Sequence, residues 1–184
     1  MKALISTILL LGLVSCQTNE GKSSGGESYP VSLSMGSYTT ARVMNFFISE
    51  AYANVSDLRV CFKRLRFKTT LDDTIPGDNI DFPLGEVTLS TSGTLLGSVV
   101  VPAGTYYRVE FDLEPECAGK SLNLSNDFGV YSAAETIKIK FDGVFVVDGS
   151  TNLELGVQDI LNAANAYNGV GTLKETFENV SGNL

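Results

Sequence analysis

Alternation of apolar and charged residues is the feature that most limits how this chain can fold. Between positions 107 and 113 four apolar residues alternate with three charged ones, and these charged residues are Arg108, Glu110 and Asp112. Because successive side chains of a β-strand point to opposite faces, this period of two predicts a strand with an apolar face and a charged, solvated face.

Similar alternation recurs along most of the chain. It covers residues 31–35, 57–68, 86–90, 94–101, 121–124, 136–141, 144–147 and 151–155. Within 57–68 the apolar phase shifts after Phe62, and one extra residue near Lys63 and Arg64 predicts a β-bulge. Residues 91–93 predict a hairpin-like turn between two of the strands. About eight short strands separated by turns predict an all-β fold, an antiparallel β-sandwich.

Two C-terminal segments have helical spacing instead. Ile160, Ala164 and Tyr167 fall on one helical face, and Thr172 with Glu175 forms a capping-box pattern before a second short helix. We expect these helices to pack on an edge or end of the sandwich. Residues 42–53 fit a helix and a strand equally well.

The N-terminus carries a targeting pattern. Met1 and Lys2 precede an apolar run over residues 3–14, which is too short to span a bilayer as a helix. The run ends in Leu13-Val14-Ser15-Cys16, which resembles the lipobox of bacterial lipoproteins. The resemblance implies that residues 1–15 are a signal peptide and that Cys16 becomes an acylated N-terminus. The alternative is an ordinary secretory signal.

The position after the lipid anchor bears on the destination of the protein. Gln17 stands where enterobacterial lipoproteins retained at the inner membrane commonly carry Asp, so the resemblance implies the outer membrane. Residues 16–28 contain the acylated cysteine and a Gly/Ser-rich stretch that predicts a flexible tether. Residues 29–184 are then expected to form a single folded domain.

A second resemblance lies in the middle of the chain. Residues 102–109, Pro-Ala-Gly-Thr-Tyr-Tyr-Arg-Val, resemble the turn and strand of transthyretin-like β-sandwich domains, which occur in bacterial surface lipoproteins. This resemblance implies a transthyretin-like or immunoglobulin-like sandwich, and a scaffold or binding domain rather than an enzyme. It carries no catalytic residue over to this chain.

Cysteine usage predicts one disulfide. Acylation of Cys16 would leave Cys61 and Cys117, which would meet an oxidising environment after export. Their bond would close a loop of 56 residues, a constraint of about 4 kcal/mol in the chain-entropy model. The alternatives are two unpaired thiols or a metal site. A tetrahedral metal site would require carboxylates, because the chain has no His.

The absence of His also excludes whole classes of chemistry. Neither a Ser-His-Asp triad nor a Cys-His dyad can form, and the expected protein is not an enzyme and has no cofactor. A net charge of −8, from 13 basic and 21 acidic residues, disfavours nucleic acid as a partner.

Charge is nevertheless unevenly distributed along the chain. A basic segment contains Arg59, Lys63, Arg64, Arg66 and Lys68. One interpretation is an interaction patch for anionic lipid headgroups or an acidic partner. The favoured interpretation is cross-strand pairing with the acidic residues at 110–116, which the predicted disulfide would bring close.

Carboxylates suggest two further sites. Asp72, Asp73, Asp78 and Asp81 are interpreted as a solvated acidic loop, with a calcium site as the alternative. The alternating acids at 110–116 are interpreted as the polar side of a solvated strand rather than as a catalytic pair.

The sequence as a whole predicts a lipid-anchored protein of the cell envelope. Its expected role is non-catalytic: binding of a protein or glycan partner, adhesion, or envelope structure. The alternative is a periplasmic carrier with an apolar pocket for a small ligand inside the β fold. A hydrolase that uses carboxylates alone is a third hypothesis.

Overall fold

The computed structural model describes residues 26–36, 55–75, 77–90 and 93–184. These contain ten strands and two helices: β1 Ser28–Met35, β2 Val55–Lys68, β3 Asp78–Thr88, β4 Thr94–Pro102, β5 Gly104–Leu113, β6 Leu122–Asn126, β7 Gly129–Ala133, β8 Ile137–Val147, β9 Thr151–Leu155, α1 Gln158–Ala166, α2 Leu173–Glu178 and β10 Ser181–Asn183. The chain is therefore mostly β, as the alternation predicts. The segment 42–53 lies outside the described residues, as do the predicted signal peptide and the predicted lipidation site at Cys16.

The strands form two sheets. The smaller has the order β4-β1-β9, and the larger has the order β10-β8-β5-β2-β6-β7, with β3 also paired to β2. Most pairs are antiparallel, whereas β1 with β9 and β10 with β8 are parallel. This arrangement is consistent with an all-β sandwich-like fold that carries two short helices near the C-terminus.

The predicted hairpin between β3 and β4 is wrong. The described residues on either side do meet there, since the Gly93 amide donates to the Ser90 carbonyl at 3.0 Å. However, β3 pairs with β2 in the larger sheet and β4 pairs with β1 in the smaller one. A turn only limits how far apart two strand ends can lie. Which neighbour each strand pairs with is decided by the apolar faces that meet in the core.

The alternating apolar residues fill the space between the sheets. In the larger sheet the ring of Phe111 lies 4.8 Å from that of Phe62 and 5.9 Å from that of Phe141, measured between ring centroids. Val31 and Leu33 of β1 are buried in the same cluster. The predicted bulge in β2 is confirmed, because the register with β3 and β5 shifts between Phe62 and Arg64.

Both predicted C-terminal helices are confirmed. Thr172 caps α2: its hydroxyl accepts from the Glu175 amide, and the Glu175 side chain accepts from the Thr172 amide. α1 packs near β2, β6 and β10, and α2 packs near β7 and β8. The buried Asn126 joins α1 to the β6–β7 turn, because its Nδ2 donates to the carbonyls of Ala164 at 2.9 Å and Tyr167 at 2.8 Å.

The sequence does not predict β7 or β10. Both are short, and β10 has no alternating apolar residues. At Gly182 a Cβ would lie 2.3 Å from the Gly156 carbonyl oxygen and 2.5 Å from the Phe141 ring. β10 therefore depends on a close backbone approach that only glycine allows.

Candidate functional site

A dense array of charged side chains covers one face of the larger sheet. It comes from three neighbouring strands, β2, β5 and β8, whose other faces form the core. We call these residues the charged face: Arg64, Arg66, Lys68, Arg108, Glu110, Asp112, Lys138, Lys140 and Asp142. The register places Glu110 directly between Arg66 and Lys140.

Glu110 is the centre of the charged face. Its carboxylate oxygens lie 3.5 Å from Arg108 and 3.8 Å from each of three other cations, which are Arg66, Lys68 and Lys138. Only 1% of the residue is exposed. Its Oε1 accepts no hydrogen bond from the residues that the structure describes. The four ion pairs therefore compensate for the burial of this carboxylate.

The expectation of a solvated polar side for β5 is thus wrong at its centre. Arg108, Glu110 and Asp112 are all buried. The physical reason lies in the neighbouring strands: the long side chains of Arg66, Lys68 and Lys140 flank β5, and their aliphatic stems shield the shorter carboxylates from water.

The predicted pairing of the basic segment with the acidic strand is confirmed for four of five residues. Arg66 forms a forked ion pair with Asp112, Arg64 lies 3.4 Å from Glu114, Lys63 lies 2.9 Å from Glu116, and Lys68 pairs with Glu110. The exception is Arg59, which pairs with Asp57 at 2.8 Å and with Glu86 at 3.2 Å.

The predicted disulfide between Cys61 and Cys117 is confirmed, with 5.8 Å between the Cα atoms. It joins β2 to the segment that follows β5. Backbone hydrogen bonds reinforce the junction, because the Cys61 amide donates to Ser121 and its carbonyl accepts from Glu114. The disulfide holds the basic and acidic segments side by side.

The loop that follows β2 closes over one end of the charged face. Asp73 in this loop accepts from Arg108 at 2.5 Å and from Lys140 at 3.1 Å. Arg108 also donates to both carboxylate oxygens of Asp142, at 2.5 Å and 3.3 Å. The hydrogen bond from Lys140 lowers the pKa of Asp73, and nearby Arg108 adds to the effect.

The pKa of Asp142 is also lowered. Burial by itself would raise it, but hydrogen bonds from Arg108 and Ser181 outweigh burial and stabilise the carboxylate form. A general acid in a hydrolase requires a raised carboxyl pKa, and both of these carboxyl groups have shifted in the opposite direction.

The four aspartates of the predicted acidic loop serve different purposes. The Asp72 carboxylate accepts from the amide of Thr74 at 2.8 Å and from its hydroxyl at 2.7 Å. Asp73 pairs with cations, and Asp78 and Asp81 belong to β3. Among the residues described, no group of three or more acidic or cysteine side chains could hold a metal ion.

An open cleft of about 550 Å³ lies between β7 and the C-terminal helices. Its lining consists of Tyr131, Ser132, Ala133, Ala134, Glu135, Tyr167, Thr172 and Leu173. The rings of Tyr131 and Tyr167 meet edge to face with 4.9 Å between centroids, and the Tyr167 hydroxyl donates to the Gly171 carbonyl. The sequence does not reveal this cleft, because β7 itself is not predicted and the two walls of the cleft are 32 or more residues apart.

Comparison with protein-family models, with curated proteins and with solved structures finds no significant match. In the part of the chain that the structure describes, neither helix is long and apolar enough to cross a membrane.

Proposed function

We propose that this protein is an acylated lipoprotein of the cell envelope, anchored at Cys16 and placed at the outer membrane, with a non-catalytic role in binding, adhesion or envelope structure. The observation that carries the proposal is the sequence Leu13-Val14-Ser15-Cys16 at the end of the apolar run. Several acyl chains on one cysteine give stable anchoring, because each buried CH₂ contributes about 0.8 kcal/mol.

The position of β1 supports the anchor. β1 begins at Ser28, twelve residues after Cys16, and it is the central strand of the smaller sheet. Both of its edges are hydrogen-bonded, to β4 and to β9. A strand paired on both sides resists being pulled from its sheet, so tension on the tether is shared with two neighbours.

The cleft beside Tyr131 and Tyr167 supports a binding role. It combines aromatic rings with polar groups from Ser132 and Glu135, which is the usual composition of a ligand site. The basic residues of β2 are less suited to an external partner, because their side chains already pair with carboxylates of the same molecule. A partner at the basic segment would have to break those ion pairs.

The volume of the cleft favours a second candidate, a periplasmic carrier for a small ligand. About 550 Å³ falls within the range of small-molecule sites. The cleft is open and lies beside β7 and the helices, whereas the sequence-based hypothesis placed an apolar pocket inside the β fold. Native mass spectrometry of detergent-extracted protein distinguishes the candidates. A carrier would retain a small molecule that Tyr131→Ala loses and Val130→Ala keeps.

The anchor is tested by intact mass and cell fractionation of the full chain. We expect the wild-type mass to equal the chain from Cys16 plus acyl groups, recovered with the outer membrane. Cys16→Ala should lose the acyl mass and leave the membrane fraction. The matched control is Cys117→Ala, which removes the disulfide partner of Cys61 and should keep the acyl mass. An unacylated wild-type chain would overturn the proposal.

A further inference from the structure

Two cations on adjacent strands converge on one carboxylate at the edge of the charged face. Arg108 on β5 and Lys140 on β8 bind opposite oxygens of Asp73, at 2.5 Å and 3.1 Å. Asp142 holds the Nε and Nη2 of Arg108, which leaves its Nη1 directed at Asp73. A fixed guanidinium beside an ammonium is the combination with which proteins bind carboxylates and phosphates.

The exposure of the three groups is uneven. The side chains of Arg108 and Lys140 are 9% and 17% exposed, whereas the side chain of Asp73 is 57% exposed. The two cations are therefore the buried part of this cluster, and the Asp73 carboxylate lies on its solvent side. A group that replaced the Asp73 carboxylate could reach the two cations directly from water.

Without Asp73 the cluster is cationic. The five basic residues of the cluster then face three carboxylates, a surplus of two positive charges: Arg66, Lys68, Arg108, Lys138 and Lys140 against Glu110, Asp112 and Asp142. Because all of these cations except Lys138 have side chains that are 17% exposed or less, water screens the surplus weakly and an anion at the Asp73 position is attracted strongly. The lowered pKa of Asp73 has the same origin.

We propose that Arg108 and Lys140 form a binding site for a small oxyanion, a carboxylate or a phosphate, which the Asp73 carboxylate occupies until the ligand displaces it. Lys68 holds the backbone of the loop next to Asp73, because its Nζ donates to the Asp72 carbonyl at 2.8 Å. Asp73 can thus swing out without detaching the loop. A group held on a short tether competes at an effective concentration in the millimolar range, so the wild-type protein binds the ligand only at about millimolar concentrations.

The test is an NMR titration of the full-length chain in neutral detergent. Sodium acetate and sodium phosphate are the probes, at an ionic strength kept constant with sodium chloride, and the side-chain Nε–H signal of Arg108 is the reporter. We expect Asp73→Asn to bind one of the probes about tenfold more tightly than the wild type, because the tethered competitor is gone. Adding Lys140→Gln to Asp73→Asn should abolish this gain.

Asp72→Asn is the matched control. It removes one negative charge from the same loop, but Asp72 bonds to Thr74 and does not touch the two cations. We expect it to bind the probes as the wild type does. If either Asp73→Asn or Asp73→Ser is poorly folded by circular dichroism, the other takes its place.

The outcomes separate the alternatives. Tighter binding of phosphate alone, or of acetate alone, supports the site and identifies which oxyanion it prefers. Equal affinities for the Asp73 and Asp72 variants overturn the proposal, as does a gain that survives Lys140→Gln. The titration does not depend on acylation, so failure of the anchor at Cys16 leaves this test intact.

Discussion

Glu110 illustrates how a charged residue becomes part of the interior at the residue scale. Its carboxylate is surrounded by four cations, and one of its oxygens lacks a hydrogen bond within the described residues. Removing one charge from a buried cluster leaves the others uncompensated, and this typically costs more than the pair contributed. The identity of position 110 is therefore tied to its neighbours on β2 and β8.

Glu110→Gln should destabilise the protein by about 3 kcal/mol, because the cations around it lose their shared counter-charge. The measurement is urea denaturation at neutral pH. Glu116→Gln is the matched control: it removes a carboxylate that pairs with Lys63 near the solvent, where the side chain of Glu116 is 53% exposed. Its effect should be much smaller, since surface ion pairs contribute little. Similar losses for both variants would contradict the account.

Stability should also fall in acid. Because the pKa of Asp142 is lower in the folded protein than its ordinary value near 3.8, the folded state favours the ionised form more than the unfolded chain does. The contribution of Asp142 is complete above about pH 4 and is lost as pH falls through the lowered pKa. The urea midpoint of the wild type should therefore drop below pH 4, and Asp142→Asn should flatten that drop. If the urea midpoints of the wild type and of Asp142→Asn fell in parallel below pH 4, groups other than Asp142 would cause the drop.

At the scale of elements, a short helix is stabilised by the residues that cap it and by the side chains that it buries. α2 has only six residues, too few to be stable as an isolated helix. Two features compensate: the capping box at its start, and the burial of Leu173 and Phe177 in the core. Thr172 also lines the cleft, so the cap connects helix stability to the shape of that site.

Thr172→Ala should lower the free energy of unfolding by about 1 kcal/mol, because the Glu175 amide loses its hydrogen-bond acceptor. Thermal unfolding followed by circular dichroism gives the comparison. Thr172→Ser keeps the hydroxyl and should behave as the wild type. An equal loss for both variants would show that the methyl group, not the cap, stabilises this end of α2.

At the scale of the whole molecule, contacts distant in sequence dominate. The disulfide closes a loop of 56 residues that contains β3, β4 and β5, and these strands belong to two different sheets. It therefore restricts the unfolded chain across both layers of the sandwich.

Replacing Cys61 and Cys117 together by Ala should lower the free energy of unfolding by about 4 kcal/mol, which is the loop-closure value for a loop of this length. Wild-type protein with the disulfide reduced should lose a similar free energy of unfolding. This comparison separates the effect of the covalent bond from the effect of packing alanine side chains at the two positions. The measurement is again the urea midpoint. A loss below about 1 kcal/mol would mean that the ion pairs between β2 and the acidic segment constrain the chain without the bond.

Features carried by neighbouring residues could be predicted from the sequence. The strand alternation, the bulge in β2, the capping box at Thr172 and the C-terminal helices all follow from spacing within one segment. The pairing of Cys61 with Cys117 was predictable for another reason, because assigning Cys16 to the lipid anchor leaves only two cysteines. The acidic and basic segments could then be placed side by side by charge.

Tertiary structure alone decided the rest. Alternation specifies which face of a strand is apolar, but the sheet to which the strand belongs depends on partners far along the chain, so β3 and β4 separate into different sheets. The burial of Glu110 needs long cations on both flanking strands, and the cleft needs β7 beside α2. Each depends on side chains that meet only after folding, because burial is a property of the assembled surface and not of any single segment.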